Sequence, residues 1–308
     1  MPKHQGLRPV RRHRLGIGAT IVVLAFAIST VGAGALAAGH YLITSTKQIK
    51  PSVLHHLEGA RGAAGVGIGG IFGSGADGSR TIKADTTLSH DVYYRNLTVN
   101  SGVTLDTGGY RVFVAGTLTL RTGAQISRNG ADASSSSPAA GVTSGTLGNS
   151  APGASHGLCA GGTATNSLGG VGGNAGSSMV CPGGPVMRPA AEVGGAQVFD
   201  AALQAISGRT LDGVIVNGGA GGGGGTSSSD NGGAGGGVVV VVARSVVVKG
   251  HAVISAAGGN GSGDGGGGGG GVVVVVSTSP RPAGVTISAA GGSSALHKGS
   301  AGFSAWLS

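Results

Sequence analysis

Apolar positions along this chain fall into three regimes. Residues 17–38, IGATIVVLAFAISTVGAGALAA, hold no charge over 22 positions. From Thr81 onward apolar and polar residues alternate in short runs: Leu97/Val99, Val103/Leu105, Val112/Val114, Leu118/Leu120 and Ile126. Asn-Ser-Gly, Asp-Thr-Gly-Gly and Arg-Thr-Gly separate these runs. Period-two alternation bounded by Gly and Asn predicts strands, and the spacing leaves no room for helices between them. Near the end the alternation gives way to unbroken valine, Val238–Val242 and Val272–Val276. Successive side chains of a strand face opposite sides, so such a run presents apolar groups on both faces. One face can fill an interior. The other also needs cover, and the neighbouring glycine runs or a second molecule are the two candidates.

The valine runs belong to a repeat. GGGVVVVVARSVVVKGHAVISAAGG (235–259) matches GGGVVVVVSTSPRPAGVTISAAGG (269–292). A third copy lies 128 positions upstream, setting Val112 on Val240, Leu118 on Val246 and Ile126 on Ile254. One copy divides at its turns into three strands, Val238–Ala243, Val246–Lys249 and Ala252–Ala256, followed by a glycine excursion over Ala257–Gly271. Short strands in a repeat near thirty residues predict an all-β, parallel β-helix or solenoid with long glycine-rich loops. An antiparallel sandwich is the alternative, and it accounts less well for the long-range repeat.

Residues 131–195 interrupt this frame with Ser, Gly, Ala and Pro and few large apolar side chains, which predicts an irregular, mobile insertion reaching to about residue 210. Within it, Val198, Phe199, Ala202, Leu203 and Ile206 share one face of a short helix over Ala196–Ile206, stopped by Gly208. The closing residues Phe303, Trp306 and Leu307 are expected to plug the open end of the array. Trp306 has a second reading, as a ring on which a carbohydrate stacks.

The apolar stretch 17–38 spans about 33 Å as a helix, enough to cross a bilayer core. The basic segment 1–16 ahead of it should stay cytoplasmic and send the rest of the chain out. Ala35-Leu-Ala37 has the small-x-small form of a signal cleavage site, so the stretch is read as an anchor or a signal helix. The body is then extracellular, held at the membrane or secreted after cleavage near Ala37. Residues 39–80 form a juxtamembrane, glycine-rich stalk, and 81–308 the body. In the stalk, Tyr41-Leu-Ile-Thr-Ser-Thr-Lys-Gln-Ile-Lys-Pro-Ser-Val-Leu54 resembles a juxtamembrane segment of exported actinobacterial proteins, often placed before collagen-like repeats. Gly59, Gly62 and Gly65 keep that spacing, and Ile68 breaks it. The resemblance implies a surface or secreted protein and carries no implication about activity.

Composition narrows the function classes. Sixty-eight residues are Gly and only ten are aromatic. Five of the 20 basic residues precede the apolar stretch, which leaves 15 against 11 acids for a body carrying only +4. Without basic clusters interleaved with aromatics, nucleic acid is not an expected partner. Cys159 and Cys181 are expected to pair in an oxidising compartment, closing a loop worth about 3 kcal/mol. No zinc set accompanies them, and His55-His56 reads as solvated, so neither a metal nor a cofactor is predicted.

Catalytic signals are sparse. The glycine runs lead into valine rather than a helix, unlike phosphate loops. Gly258–Asp264 approaches a calcium-roll motif with its Asp one place late, and Asp230 and Asp264 occupy comparable places in successive loops. The glutamates are Glu58 and Glu192, and Asp91, Asp106, Asp212, Asp230 and Asp264 stand singly, mostly within two residues of a turn glycine. Glycoside hydrolysis needs two facing carboxylates. His251 aligns with Gly123, so no motif repeats around it. The expectation is a non-catalytic, structural or adhesive surface protein that binds cell-wall or environmental polysaccharide. The alternatives are a carbohydrate-active β-helix enzyme, a lyase or hydrolase, and a coat component self-associating through its Val-rich strands.

Overall fold

The computed structural model describes residues 68–176, 181–187, 204–209, 215–295 and 297–308. The expected membrane span 17–38, the stalk up to residue 67, Glu58, Glu192, Asp212 and most of the helix expected over Ala196–Ile206 lie outside them. Within that last stretch 204–207 form a helical turn, and Gly208 follows with a positive φ of 70°. Among the described residues no helix is long and apolar enough to cross a membrane.

The described chain is nearly all strand and loop, and its two large sheets are wholly parallel. The first contains β1 (Ser79–Ile82), β3 (Val92–Tyr94), β4 (Asn96–Val99), β6 (Val112–Arg121), β10 (Val238–Lys249), β12 (Val272–Val276) and β14 (Phe303–Leu307). The second contains β2 (Thr86–Thr87), β5 (Thr104–Asp106), β7 (Gln125–Ser127), β11 (Ala252–Ser255) and β13 (Val285–Ser288). Leaving aside the small parallel pair β8 (Ala164–Thr165) and β9 (Val186–Met187), the chain passes back and forth between the two sheets, with β3 and β4 entering the first in succession and both pairing with β6. This arrangement fits a β-helix. The 3-10 turn Ile68–Phe72 precedes β1, and buried Phe72 ties it to the body.

Alternation along the strands explains the first core. Leu97, Val99, Leu105, Val112, Val114, Leu118, Leu120 and Ile126 are fully buried and meet Val239, Val241, Ile254, Val273 and Val275 in one cluster. Leu105, Ile126, Ile254 and Ile287 stand in register across the second sheet. Each fully buried aliphatic side chain contributes about 1.5–3 kcal/mol, so this ladder is a principal source of stability.

The gapless 128-residue alignment needs correction. Val112 pairs with Val241, an offset of 129, while Leu118 pairs with Val246 at 128. Between them Ala115 and Gly116 oppose Arg244 alone, which is a β-bulge. The shift matters because Val112 and Val241 both enter the core between the sheets, whereas Val240 faces outward. The three-strand division also becomes two: β10 runs unbroken through the bulge from Val238 to Lys249.

The outward valines Val238, Val240, Val242, Val272 and Val274 form a second core with Phe72, Leu147, Leu168, Ala205 and Val216. Phe113, Phe303 and Leu307 pack at its margin. Much of the cover therefore comes from apolar side chains of the inserted region, few but placed over the valine face. Residues 131–176 carry little regular secondary structure, yet Leu147 and Leu168 pack on the strand frame.

The glycine runs form a third layer. Gly219, Gly222 and Gly225 donate backbone hydrogen bonds to Gly236, Gly233 and Asp230; Ala220 and Gly223 to Gly170 and Gly173; Gly221 and Gly224 to Gly162 and Cys159. Three neighbours are each visited every third residue, and none of these bonds closes within the segment. That is the signature of extended helices of three residues per turn, the polyproline II geometry. The pattern continues outward, from Gly233 and Gly236 to Gly266 and Gly269, and from Gly267 and Gly270 to His297 and Ser300. Glycine is required where a side chain would meet a neighbouring backbone: a Cβ on Gly221 would overlap the Pro152 carbonyl oxygen. Side chains fit where the lattice leaves space, as Ala220 does beside Ala151 and Ala164. Gly218–Gly225 are buried, and the bonds between segments supply the partners that their buried backbone groups need.

Candidate functional site

Asp91, Asp106 and Asp230 lie apart from one another, and each accepts hydrogen bonds within the fold. Asp91 accepts from Arg111 in a 3.0 Å ion pair, and also from the Arg111 backbone N–H at 2.8 Å and the Thr146 hydroxyl at 2.5 Å. Arg111 donates onward to the carbonyls of Ile206 (2.9 Å) and Ser207. Asp106 pairs with Arg128 at 3.2 Å, and Arg128 donates to the Thr143 carbonyl at 2.8 Å. Both arginines thus tie the inserted region to the strand frame. They are the ion pairs among the described residues.

Asp230 lies buried in the glycine layer. Its carboxylate accepts the N–H groups of Ser227 (2.9 Å) and Asp264 (3.1 Å) and the Ser229 hydroxyl (3.4 Å). Burial on its own would raise this carboxyl. The bonds from Asp264, Ser227 and Ser229 outweigh it and hold the group below the usual carboxylate range. Asp230 and Asp264 therefore meet through a carboxylate and a backbone N–H. Among the described residues no group of three His, Cys, Asp or Glu side chains has the placement of a metal site. The His251 carbonyl accepts the N–H of Gly123 on the neighbouring turn.

Cys159 and Cys181 are joined, with sulfurs 2.05 Å and Cα atoms 4.4 Å apart. Their carbonyls accept from Gly224 and Ala175, so the link staples a margin of the glycine layer. Trp306 is half-buried on the terminal strand β14, packed against the first core. Its indole N–H donates to the Ser279 carbonyl at 3.1 Å. Phe303 and Leu307, on the same strand, pack on the second core.

A concavity lies where the insertion, β8 and the glycine layer meet. This cleft, about 580 Å³, has a rim of hydroxyls and amides from Ser144, Asn149, Thr163, Thr165, Asn166 and Asn217, with Arg209 and Ile215 at its border. Ala151 and Ala164, members of the small alanine cluster, form part of its floor. Asn217 is fixed from both ends: its carbonyl oxygen accepts Asn149 N–H at 3.2 Å and its amide donates to the Thr165 carbonyl at 2.8 Å. Asn166 has a φ of +47°, a conformation Asn tolerates better than most residues, and its carbonyl accepts Asn217 N–H. The backbone is thereby held in one shape while the exposed Thr163 and Thr165 hydroxyls face solvent. Such a rim offers neutral hydrogen-bond donors and acceptors, the complement of a hydroxyl-rich ligand.

Sequence reasoning missed this cleft because its residues come from 144–152, 163–166 and 209–217, stretches that carry no motif. No family model, curated protein or solved structure matches this chain.

Proposed function

We propose that this chain is a non-catalytic adhesive or structural protein of the cell surface. In this reading the alternating parallel sheets are a β-solenoid, the apolar stretch 17–38 anchors or exports it, and the cleft holds a neutral segment of polysaccharide. The observation that carries the reading is the cleft itself, a rim mainly of neutral amides and hydroxyls, with Arg209 at its border, on a backbone cross-bonded to its neighbours. Pre-ordering of this kind lowers the entropy lost on binding. Asp91, Asp106 and Asp230 are already engaged as acceptors for the fold, which supports binding over hydrolysis. The outward valines are covered by the chain's own side chains, so a self-assembling coat would need another surface.

The test is retention of the full chain on a panel of immobilised neutral polysaccharides, with assay for new reducing or unsaturated ends. Retention without product is expected, and Thr163→Val with Thr165→Val should weaken it about tenfold, the loss of two ordinary hydrogen bonds. Product formation would overturn the reading in favour of an enzyme. No retention on any polymer would overturn the adhesive role.

A further inference from the structure

A surface apart from the cleft has an ordered polar composition. Beyond the bulge, the outward side chains of β1, β4, β6 and β10 stand in registered rows. Ser79 pairs with Asn96, and Thr117 with Ser245; Thr81, Thr98, Thr119 and Val247 form one continuous row. In the next row Arg121 is directly opposite Lys249. Lys83 follows Ile82, whose register runs through Val99 and Leu120 to Val248, so it extends that basic row with Asn100 between. Lys83, Arg121 and Lys249 are all exposed.

The Arg121–Lys249 pairing works against folding. Neighbouring strands are about 4.8 Å apart, and like charges directly opposite one another destabilise a sheet. Neither residue has an ion pair among the described residues. Asp85, two residues beyond Lys83, accepts the Thr104 N–H at 2.8 Å. An unfavourable pair without an ion-pair partner on an otherwise largely hydroxyl-lined face is the arrangement expected where an anion completes the site.

We propose that this face binds a linear anionic polysaccharide. Its carboxylate or phosphate groups lie along the Lys83–Arg121–Lys249 row, and its sugar hydroxyls meet the serine and threonine rows. Glycan is favoured over single-stranded nucleic acid because these rows hold no aromatic ring on which bases could stack. It is favoured over a membrane because Val247 is the one large apolar side chain in them. The face is distinct from the cleft and is built from strands rather than loops, so either site can fail alone.

The experiment measures binding of the full chain to polygalacturonate, with dextran of matched length as the neutral comparison. Binding to polygalacturonate that weakens with added salt is expected. The Arg121→Gln, Lys249→Gln double variant should weaken it about tenfold. The same variant should unfold at an equal or higher temperature, because the repulsion is gone, so loss of binding cannot be ascribed to loss of fold. Lys298→Gln, which removes an exposed charge elsewhere, should bind as the parent does. Equal weakening by Lys298→Gln would reduce the effect to net charge and overturn the proposal. So would no binding at low salt, or tighter binding to oligodeoxythymidine or to phosphatidylglycerol vesicles. Thr163→Val with Thr165→Val should leave polygalacturonate binding unchanged while weakening neutral-glycan retention, which separates the two sites.

Discussion

Asp230 illustrates how single residues act in this protein. Its carboxyl is held below the usual range by bonds from Asp264, Ser227 and Ser229 that outweigh its burial. A carboxyl depressed in the folded state adds stability that is complete above the unfolded value, about 3.9, and is lost as pH falls through the lower folded one. The urea midpoint of the parent should therefore drop on going from pH 5 to below pH 4. The drop should be smaller in Asp230→Asn, which has no carboxyl to protonate; an equal drop would refute the assignment. The role of Asp230 was half legible. Its place in the loop Ser229-Asp230-Asn231-Gly232 marked it as a turn residue, and the repeat set it against Asp264, 34 positions on, but neither showed that the Asp264 N–H would be its partner.

At the scale of elements, the strands were readable because alternation is local, and the glycine segments were not. A run such as Ala220–Gly225 has no side-chain pattern from which a period can be read. Its period of three appears only in which neighbour each N–H reaches. The segments nonetheless make a definite demand on sequence. Gly221→Ala would drive a methyl into the Pro152 carbonyl, an overpacking expected to cost about 1–3 kcal/mol. Ala220→Gly, one residue away, removes a methyl from an alanine cluster and should cost about 1 kcal/mol. Denaturant titration of the two variants checks the order; a smaller loss for Gly221→Ala would mean that the segments can slide apart. The bulge between β6 and β10 was equally hidden. The two strands align well at either end, and only the inward placement of Val112 and Val241 requires the extra residue.

At the scale of the whole molecule, three layers share their boundaries: the core between the sheets, the valine face covered by the insertion, and the glycine lattice. The Cys159–Cys181 link lies in the last of these and closes a loop of separation 22. Reduction should remove about 3 kcal/mol of stability through the greater freedom of the unfolded chain. A thermal melt with and without reductant measures this. Cys159→Ser with Cys181→Ser should melt like the reduced parent and ignore the reductant; an unchanged parent would show that the lattice holds this margin without the link.

What the amino-acid order determined by itself is whatever depends on neighbours in the chain. Alternation specified strands, valine runs specified a strand with two apolar faces, and turn glycines specified where strands stop. The near-repeat at 128 even brought Arg121 onto Lys249, although without register this carried no meaning. The tertiary structure decided what depends on segments far apart in sequence. It determined which side chains cover the outer valines, how glycine runs with no pattern of their own cross-bond, and which polar residues converge in the cleft. It also determined that two cations, 128 residues apart, stand side by side on one face. The physical reason is that a strand's period is set by its own backbone, whereas hydrogen bonds between extended segments and contacts across layers are chosen only when those segments meet.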